Sequence, residues 1–280
     1  MKRVYLVPNI VTAFSLACGL FVIFKITMLE PGSGDYEVVQ TSTFLLLLAA
    51  FADFIDGALA RAIHAESEFG FVFDSLADAI SFGVAPSVLM LKTLSLEQGS
   101  LLSFLSATGA MIYSLCGVLR LVRFSVKATE AKGNAELAAA QKKNFTGLPI
   151  PAAAMAAVSA NLLFLSPWVR QHIIEFSKPQ LAIFLTCIMV ALGYLMVCRL
   201  KFPSLKMLHF RIPSFQLAFL TVVIAVFILY GILYFFAVIL ALGIWSYVAL
   251  ALILSFIRLI AGKKSKTLED FEPEPDDENN

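Results

Sequence analysis

Residues 53–78, DFIDGALARAIHAESEFGFVFDSLAD, set four aspartates, Asp53, Asp56, Asp74 and Asp78, inside apolar sequence. A carboxylate held near the middle of a bilayer costs from roughly 2.5 to well over 10 kcal/mol. A chain with four of them in one short stretch must bring compensating charge to them. A divalent cation is the simplest agent, because hard cations take oxygen ligands. On a helix Asp53, Asp56, Gly57 and Ala60 recur at i, i+3, i+4 and i+7, which is one face. Gly70, Asp74 and Asp78 recur at i, i+4 and i+8, again one face. Between them Arg61, His64, Glu66, Ser67 and Glu68 read as a polar turn at a membrane surface. Two antiparallel helices joined by that turn would merge both faces into one carboxylate cluster just under the surface, with Arg61 beside it.

The rest of the chain demands a membrane. It is 59% hydrophobic and only 15% charged, with mean hydropathy +0.85, whereas soluble domains carry about 25% charged residues. A net charge of +1 gives no global field that would attract nucleic acid. Cys18, Cys116, Cys187 and Cys198 lie in or beside apolar runs with neither metal-ligand spacing nor a disulfide framework, so they read as packing residues. His64, His172 and His209 are scattered, which leaves no zinc site or histidine triad to read.

Apolar runs near the ~20 residues needed to span a bilayer predict an all-α integral membrane protein of about eight transmembrane helices. They fall near 10–29, 41–61, 71–92, 100–122, 148–168, 178–199, 213–231 and 235–258. Lys2 and Arg3 ahead of the first run imitate a signal sequence. The run lacks a small-x-small cleavage site, however, and passes straight through Ala17-Cys18-Gly19, so a first transmembrane helix is the better reading. Basic residues collect at Lys2/Arg3, the Arg61 turn, 120–143, 199–211 and 258–266, and the alternate loops lack that excess. The positive-inside rule then puts both termini and the aspartate cluster on the cytoplasmic side, as in a bacterial cell membrane. Residues 125–143 read as a mobile polar segment or short surface helix. Residues 1–266 read as one membrane domain, and the acidic, proline-containing stretch 267–280 as a disordered cytoplasmic tail.

The aspartate stretch resembles, at every fixed position, the motif D-x2-D-G-x2-A-R-x8-G-x3-D-x3-D of the CDP-alcohol phosphotransferase family. The matching residues are Asp53, Asp56, Gly57, Ala60, Arg61, Gly70, Asp74 and Asp78. Four shorter elements resemble the phosphatidylserine synthase branch of that family. Pro8, Asn9 and Thr12 match P-N-x2-T, and GVLRLVRF (117–124) is similar to G-x2-R-L-A-R-F-N, departing at Val122 and Ser125. FTGLPIPAAA (145–154) matches F-x-G-L-P-x-P-A-A-A, and FPSLK (202–206) is a variant of Y-P-S-F-K. By physics alone these would be a helix start, snorkelling arginines, a proline-marked helix entry and a basic aromatic loop against anionic lipid.

The resemblance implies transfer of a phosphatidyl group from CDP-diacylglycerol to L-serine, with CMP released. It implies that Asp53, Asp56 and Asp74 ligate metal, and that Asp78 is the general base and a further metal contact. Two divalent cations, Mg2+ or Mn2+, are implied per site. Gly57 and Ala60 would leave room for the donor nucleotide and Arg61 would pair with its phosphates, while Asn9, Thr12 and Ser67 complete the donor site. Arg120 and Arg123 would meet a phosphate or the acceptor carboxylate, since the guanidinium fork binds two oxygens. Membrane lipid and a second copy of the chain, as a homodimer, are the implied partners. Glycerol 3-phosphate or inositol remains open as acceptor. A cation or proton transporter is the competing class, and it predicts carboxylates spread through the bilayer depth.

Overall fold

The computed structural model describes residues 6–30, 35–62, 67–131, 144–172, 176–198, 201–203, 234–255 and 257. Leu6, Arg61, Ala62, 129–131, 144–146 and 201–203 are described by their backbone alone. The first helix, α1, runs Leu6–Thr27, with Pro8 in its first turn and Lys25 in its last. Its 22 residues rise about 33 Å, enough to cross the hydrocarbon layer. Helix α2, Tyr36–Ala62, is longer and packs along α1. Helix α3, Glu68–Asp78, opens on an N-cap: the Ser67 hydroxyl accepts the Gly70 N–H at 3.0 Å, closing a donor that the first helical turn leaves open.

Beyond Asp78 the chain keeps turning, but Ala79–Val84 is π-helical before α4, Ala85–Leu94, begins. The cause is Pro86. Proline has no N–H to give the carbonyl four residues back, and its ring crowds that carbonyl, so the turn over Phe82 widens. Glu68–Leu94 remains one 27-residue span. The expected helix at 71–92 is therefore present, with a widened turn that hydropathy does not register.

Helix α5, Leu101–Ala131, extends past the expected end at 122, so the first residues of the polar stretch 125–143 are helical. Helix α6, Ile150–Leu165, is the innermost, with twelve of its sixteen residues buried. It packs against α2, α4, the π-helical turn and α8. It stops earlier than the expected 168 because Ser166 precedes Pro167 and is extended (φ −56°, ψ 127°), as residues before proline are. A short helix, α7, Pro167–His172, follows, and then α8, Lys178–Val197.

Six helices among the described residues are long and apolar enough to span a membrane: α1, α2, the α3–α4 unit, α5, α8 and α9, Tyr234–Ser255. The protein is an all-α integral membrane protein. The expected span at 213–231 and the tail from 267 lie outside the described residues.

The chain divides into two units. One holds residues 1–127 and 149–197, and the other 128–148 and 198–280. Within the second, β1, Asn144–Thr146, pairs antiparallel with β2, Lys201–Pro203, in the register Asn144↔Pro203, Phe145↔Phe202, Thr146↔Lys201. This small ladder joins two of the short elements noted above, which stand far apart in sequence.

Candidate active site

The first unit brings the aspartates together as helical periodicity requires. Asp53 and Asp56 project from α2, and Asp74 and Asp78 from α3. One carboxylate oxygen each from Asp53, Asp56 and Asp74 lies within 4.8 Å of the others. The Asp53 carboxyl is also within hydrogen-bonding range of Asp74 and Asp78. Opposite ligands of a cation with bonds of 2.0–2.6 Å stand about 4–5 Å apart. The three oxygens therefore suit the shell of one hard cation, and the donor set is all oxygen, as such a cation prefers. The acidic cluster could hold a metal.

Helix α1 supports the cluster from the side. Asp56 is 2% exposed, and the Thr12 hydroxyl lies 2.5 Å from its Oδ2, with the Pro8 carbonyl 3.1 Å away as a second acceptor. Thr12, expected near the donor nucleotide, is thus bonded to a candidate metal ligand. One turn earlier, Asn9 reaches the N-terminus of α3. A Cβ on Gly70 would stand 3.0 Å from Ser67 Oγ and 3.1 Å from Asn9 Oδ1, so glycine leaves room where those two side chains meet. The Asn9 Nδ2 is buried with no protein acceptor. A buried amide donor in that state asks for a ligand oxygen, next to a helix N-terminus that favours anions.

The two arginines of α5 have separate surroundings. Arg120 is 9% exposed, and its charge acts on both Asp53 and Asp78. Arg123 turns to the end of α8, where Nη1 donates to the Val197 carbonyl at 2.8 Å and Nη2 to Met196 at 3.4 Å. Those carbonyls belong to the last turn of a helix, which lacks internal donors and carries negative dipole charge. Gly57 and Ala60 sit half-buried on the aspartate face of α2. Arg61 follows on α2, and its side chain lies outside the described residues.

Sequence reasoning missed the support behind Asp78. Tyr113 Oη donates to the Phe82 carbonyl at 3.0 Å, and Ser114 Oγ donates to the Gly83 carbonyl at 2.9 Å. Both acceptors lie in the π-helical turn. The available signal was Pro86, whose missing N–H predicts a carbonyl in need of another donor.

Residues 5–195 match the model of the CDP-alcohol phosphatidyltransferase family. The chain is 32% identical over 217 residues to the CDP-diacylglycerol–serine O-phosphatidyltransferase of Helicobacter pylori (strain ATCC 700392 / 26695), covering 78% of this chain and 80% of that one. It is 30% identical over 200 residues to the protein of the same name from Bacillus subtilis (strain 168), covering 71% and 91%. It is also 30% identical over 190 residues to the archaetidylserine synthase of Methanothermobacter thermautotrophicus, covering 64% and 67%.

Proposed function

The chain belongs to the CDP-alcohol phosphatidyltransferase family, and from that premise we infer that it transfers the phosphatidyl group of CDP-diacylglycerol to the hydroxyl of L-serine, yielding phosphatidylserine and CMP. The observation that carries the chemistry is the convergence of Asp53, Asp56 and Asp74 from two helices. The acceptor rests on the serine-transferring relatives named above.

Asp53, Asp56 and Asp74 would hold the divalent cation, with Asp78 as a further ligand. When bound, Mg2+ or Mn2+, two per site, would supply positive charge against the donor diphosphate. Asp78 accepts the proton of the serine hydroxyl as that oxygen bonds to the phosphatidyl phosphorus. The bond from this phosphorus to the bridging oxygen breaks, and the oxygen leaves with CMP. Arg120 compensates negative charge beside Asp53 and Asp78. Asn9 and Ser67, at the N-terminus of α3, take the polar part of the donor. Thr12 holds Asp56 in place beside it. Gly57 and Ala60 leave the α2 face open to the nucleotide, and Arg61 pairs with its phosphates. Arg123 acts from the same helix as Arg120, either toward substrate phosphate or carboxylate or through the α8 terminus that it binds.

The reaction is a single displacement; among the described residues the cluster is made of aspartates, with no cysteine or histidine in it. The site faces the cytoplasm of a bacterial cell membrane, in keeping with the basic residues around Arg61 and within 120–143. The working form is a homodimer.

An acceptor screen tests this reading. Purified protein in detergent, given CDP-diacylglycerol and Mg2+ or Mn2+, is offered serine, glycerol 3-phosphate, inositol and choline separately while CMP is followed. Release with serine alone is expected. Release with a different alcohol would replace the acceptor, and release with none would favour ion or proton transport through the aspartates.

A further inference from the structure

Asp78 is the last residue of α3, and the π-helical turn begins immediately after it. The position of its carboxylate therefore depends on how that turn is held. Pro86 brings no N–H to the end of this turn, and the Phe82 carbonyl, four residues before it, accepts the hydroxyl of Tyr113 at 3.0 Å. Tyr113 and Phe82 are both fully buried, so water cannot substitute. The next carbonyl, Gly83, accepts from Ser114 at 2.9 Å and lies 3.4 Å from Ser87 Oγ. On the other side of the turn, the Ser81 hydroxyl bonds the Ser15 carbonyl of α1 at 3.4 Å.

Helix α5 thus grips the turn at one level and reaches the carboxylates at another. Tyr113 and Arg120 are seven residues apart, two helical turns, and share a face. Phe82 and Asp78 are four apart on the facing helix. Between the two levels, Gly117 leaves room for α6: a Cβ there would come within 2.9 Å of Ile150 Cδ1, while the Gly83 Cα would be in ordinary contact at 3.8 Å. Tyr113 bonds the turn that follows Asp78, and two helical turns along the same helix the charge of Arg120 acts on Asp53 and Asp78.

We propose that Tyr113 is a positioning residue for the transfer reaction, acting through the π-helical turn to set Asp78 and Arg120 relative to each other. The proposal rests on the functional reading above. Its physical content is that the hydroxyl does more than satisfy a buried carbonyl.

Tyr113→Phe in the full-length protein removes the hydroxyl and keeps the ring. The expected result is a fall in kcat between about 10- and 100-fold, the scale of a small misplacement of reacting groups. KM for serine and for CDP-diacylglycerol should stay within about twofold, as for a loss confined to the transition state. Hydrogen–deuterium exchange should speed up in peptides covering 79–86 and hold steady across 41–50. A Pro86→Ala change added to Tyr113→Phe removes the proline ring and returns a backbone N–H to the end of the π-helical turn. The double variant should regain the melting temperature and not the kcat.

Two results overturn the proposal: a Tyr113→Phe enzyme with kcat within about twofold of wild type, or a double variant that recovers kcat together with melting temperature. Should Tyr113→Phe yield no folded protein, Ser114→Ala removes the neighbouring bond to Gly83, and the same kcat-against-KM split decides. Whichever alcohol supports CMP release in the wild type serves for the comparison. A wild type inactive with every acceptor overturns the functional reading along with this inference, whereas an active wild type with an unaffected variant overturns this inference alone.

Discussion

Two polar regions of the first unit share the same helices and obey opposite rules. Around the π-helical turn, the hydroxyls of Ser15, Ser81, Ser87, Tyr113 and Ser114 donate to backbone carbonyls, and Ser87 and Ser114 also bond each other. The region is neutral and closed, and the protein itself supplies its partners. One helical turn away, four carboxylates crowd together with Arg120 as the described cation acting on Asp53 and Asp78. Among the described residues, four carboxyl groups gather there beside one arginine. In a low-dielectric span a satisfied network holds helices, while an uncompensated cluster is a place for a ligand. Asn161 is an intermediate case. It is 1% exposed, its Nδ2 donates to Thr93 Oγ1 at 3.2 Å, and its Oδ1 has no partner.

The sharpest way to break this comparison is to neutralise the cluster. Asp78→Asn should lower serine-dependent CMP release by about 10³-fold, within the range for losing a general base, while circular dichroism shows unchanged helix content. Retained turnover would show that Asp78 is not the base.

Metal removal comes next. After chelation the enzyme should fall silent and melt at lower temperature, because a ligand bound only to the folded state stabilises it. Added Mg2+ or Mn2+ should restore both properties. A melting curve indifferent to chelator and metal would mean the aspartates are compensated in another way.

Thr12→Val tests the border between the regions. It takes from Asp56 a hydrogen bond of the charge-assisted class, worth about 1.5–3 kcal/mol. A fall of roughly 10- to 100-fold in kcat/KM is expected, with helix content unchanged. An equal effect on an inactive Asp78→Asn protein's melting temperature would reassign Thr12 to packing.

Gly19→Ala probes the closed network. A Cβ there would come within 2.7 Å of the Ser81 Cα and Cβ, contacts that backbone movement alone relieves. Overpacking of this kind costs about 1–3 kcal/mol, so denaturant titration should show lower stability, and wild-type stability would show that α1 can step aside. The smallest effect is expected at Asn161. Polar bonds between membrane helices average about 0.6 kcal/mol, so Asn161→Leu should change stability by less than about 1 kcal/mol. A large loss in the same titration would place Asn161 with the closed network.

Much of the site was legible from spacing. Carboxylates at helical intervals in apolar sequence announce both a shared face and a need for compensation, and the fold joins those faces as expected. Six of the eight expected spans were legible too, because hydropathy is a local property and the bilayer thickness sets a length. The stretch 148–168 proved a shorter helix, and 213–231 lies outside the described residues. Spacing alone did not reveal what lay between elements. Arg120 and Arg123 look equivalent three residues apart, yet one faces carboxylates and the other the end of α8. The pairing of Asn144–Thr146 with Lys201–Pro203 links segments whose separation in sequence carries no period.

The sequence by itself determined that this chain enters a membrane, that its aspartates form two faces, and which family's chemistry they match. Those conclusions need only residue type, periodicity and the cost of buried charge. Tertiary structure alone decided that Tyr113 would answer the carbonyl left open by Pro86, and that Thr12 would reach Asp56. The reason is physical: a hydrogen bond between two helices depends on their separation and register to a fraction of an ångström, and packing against other helices sets both.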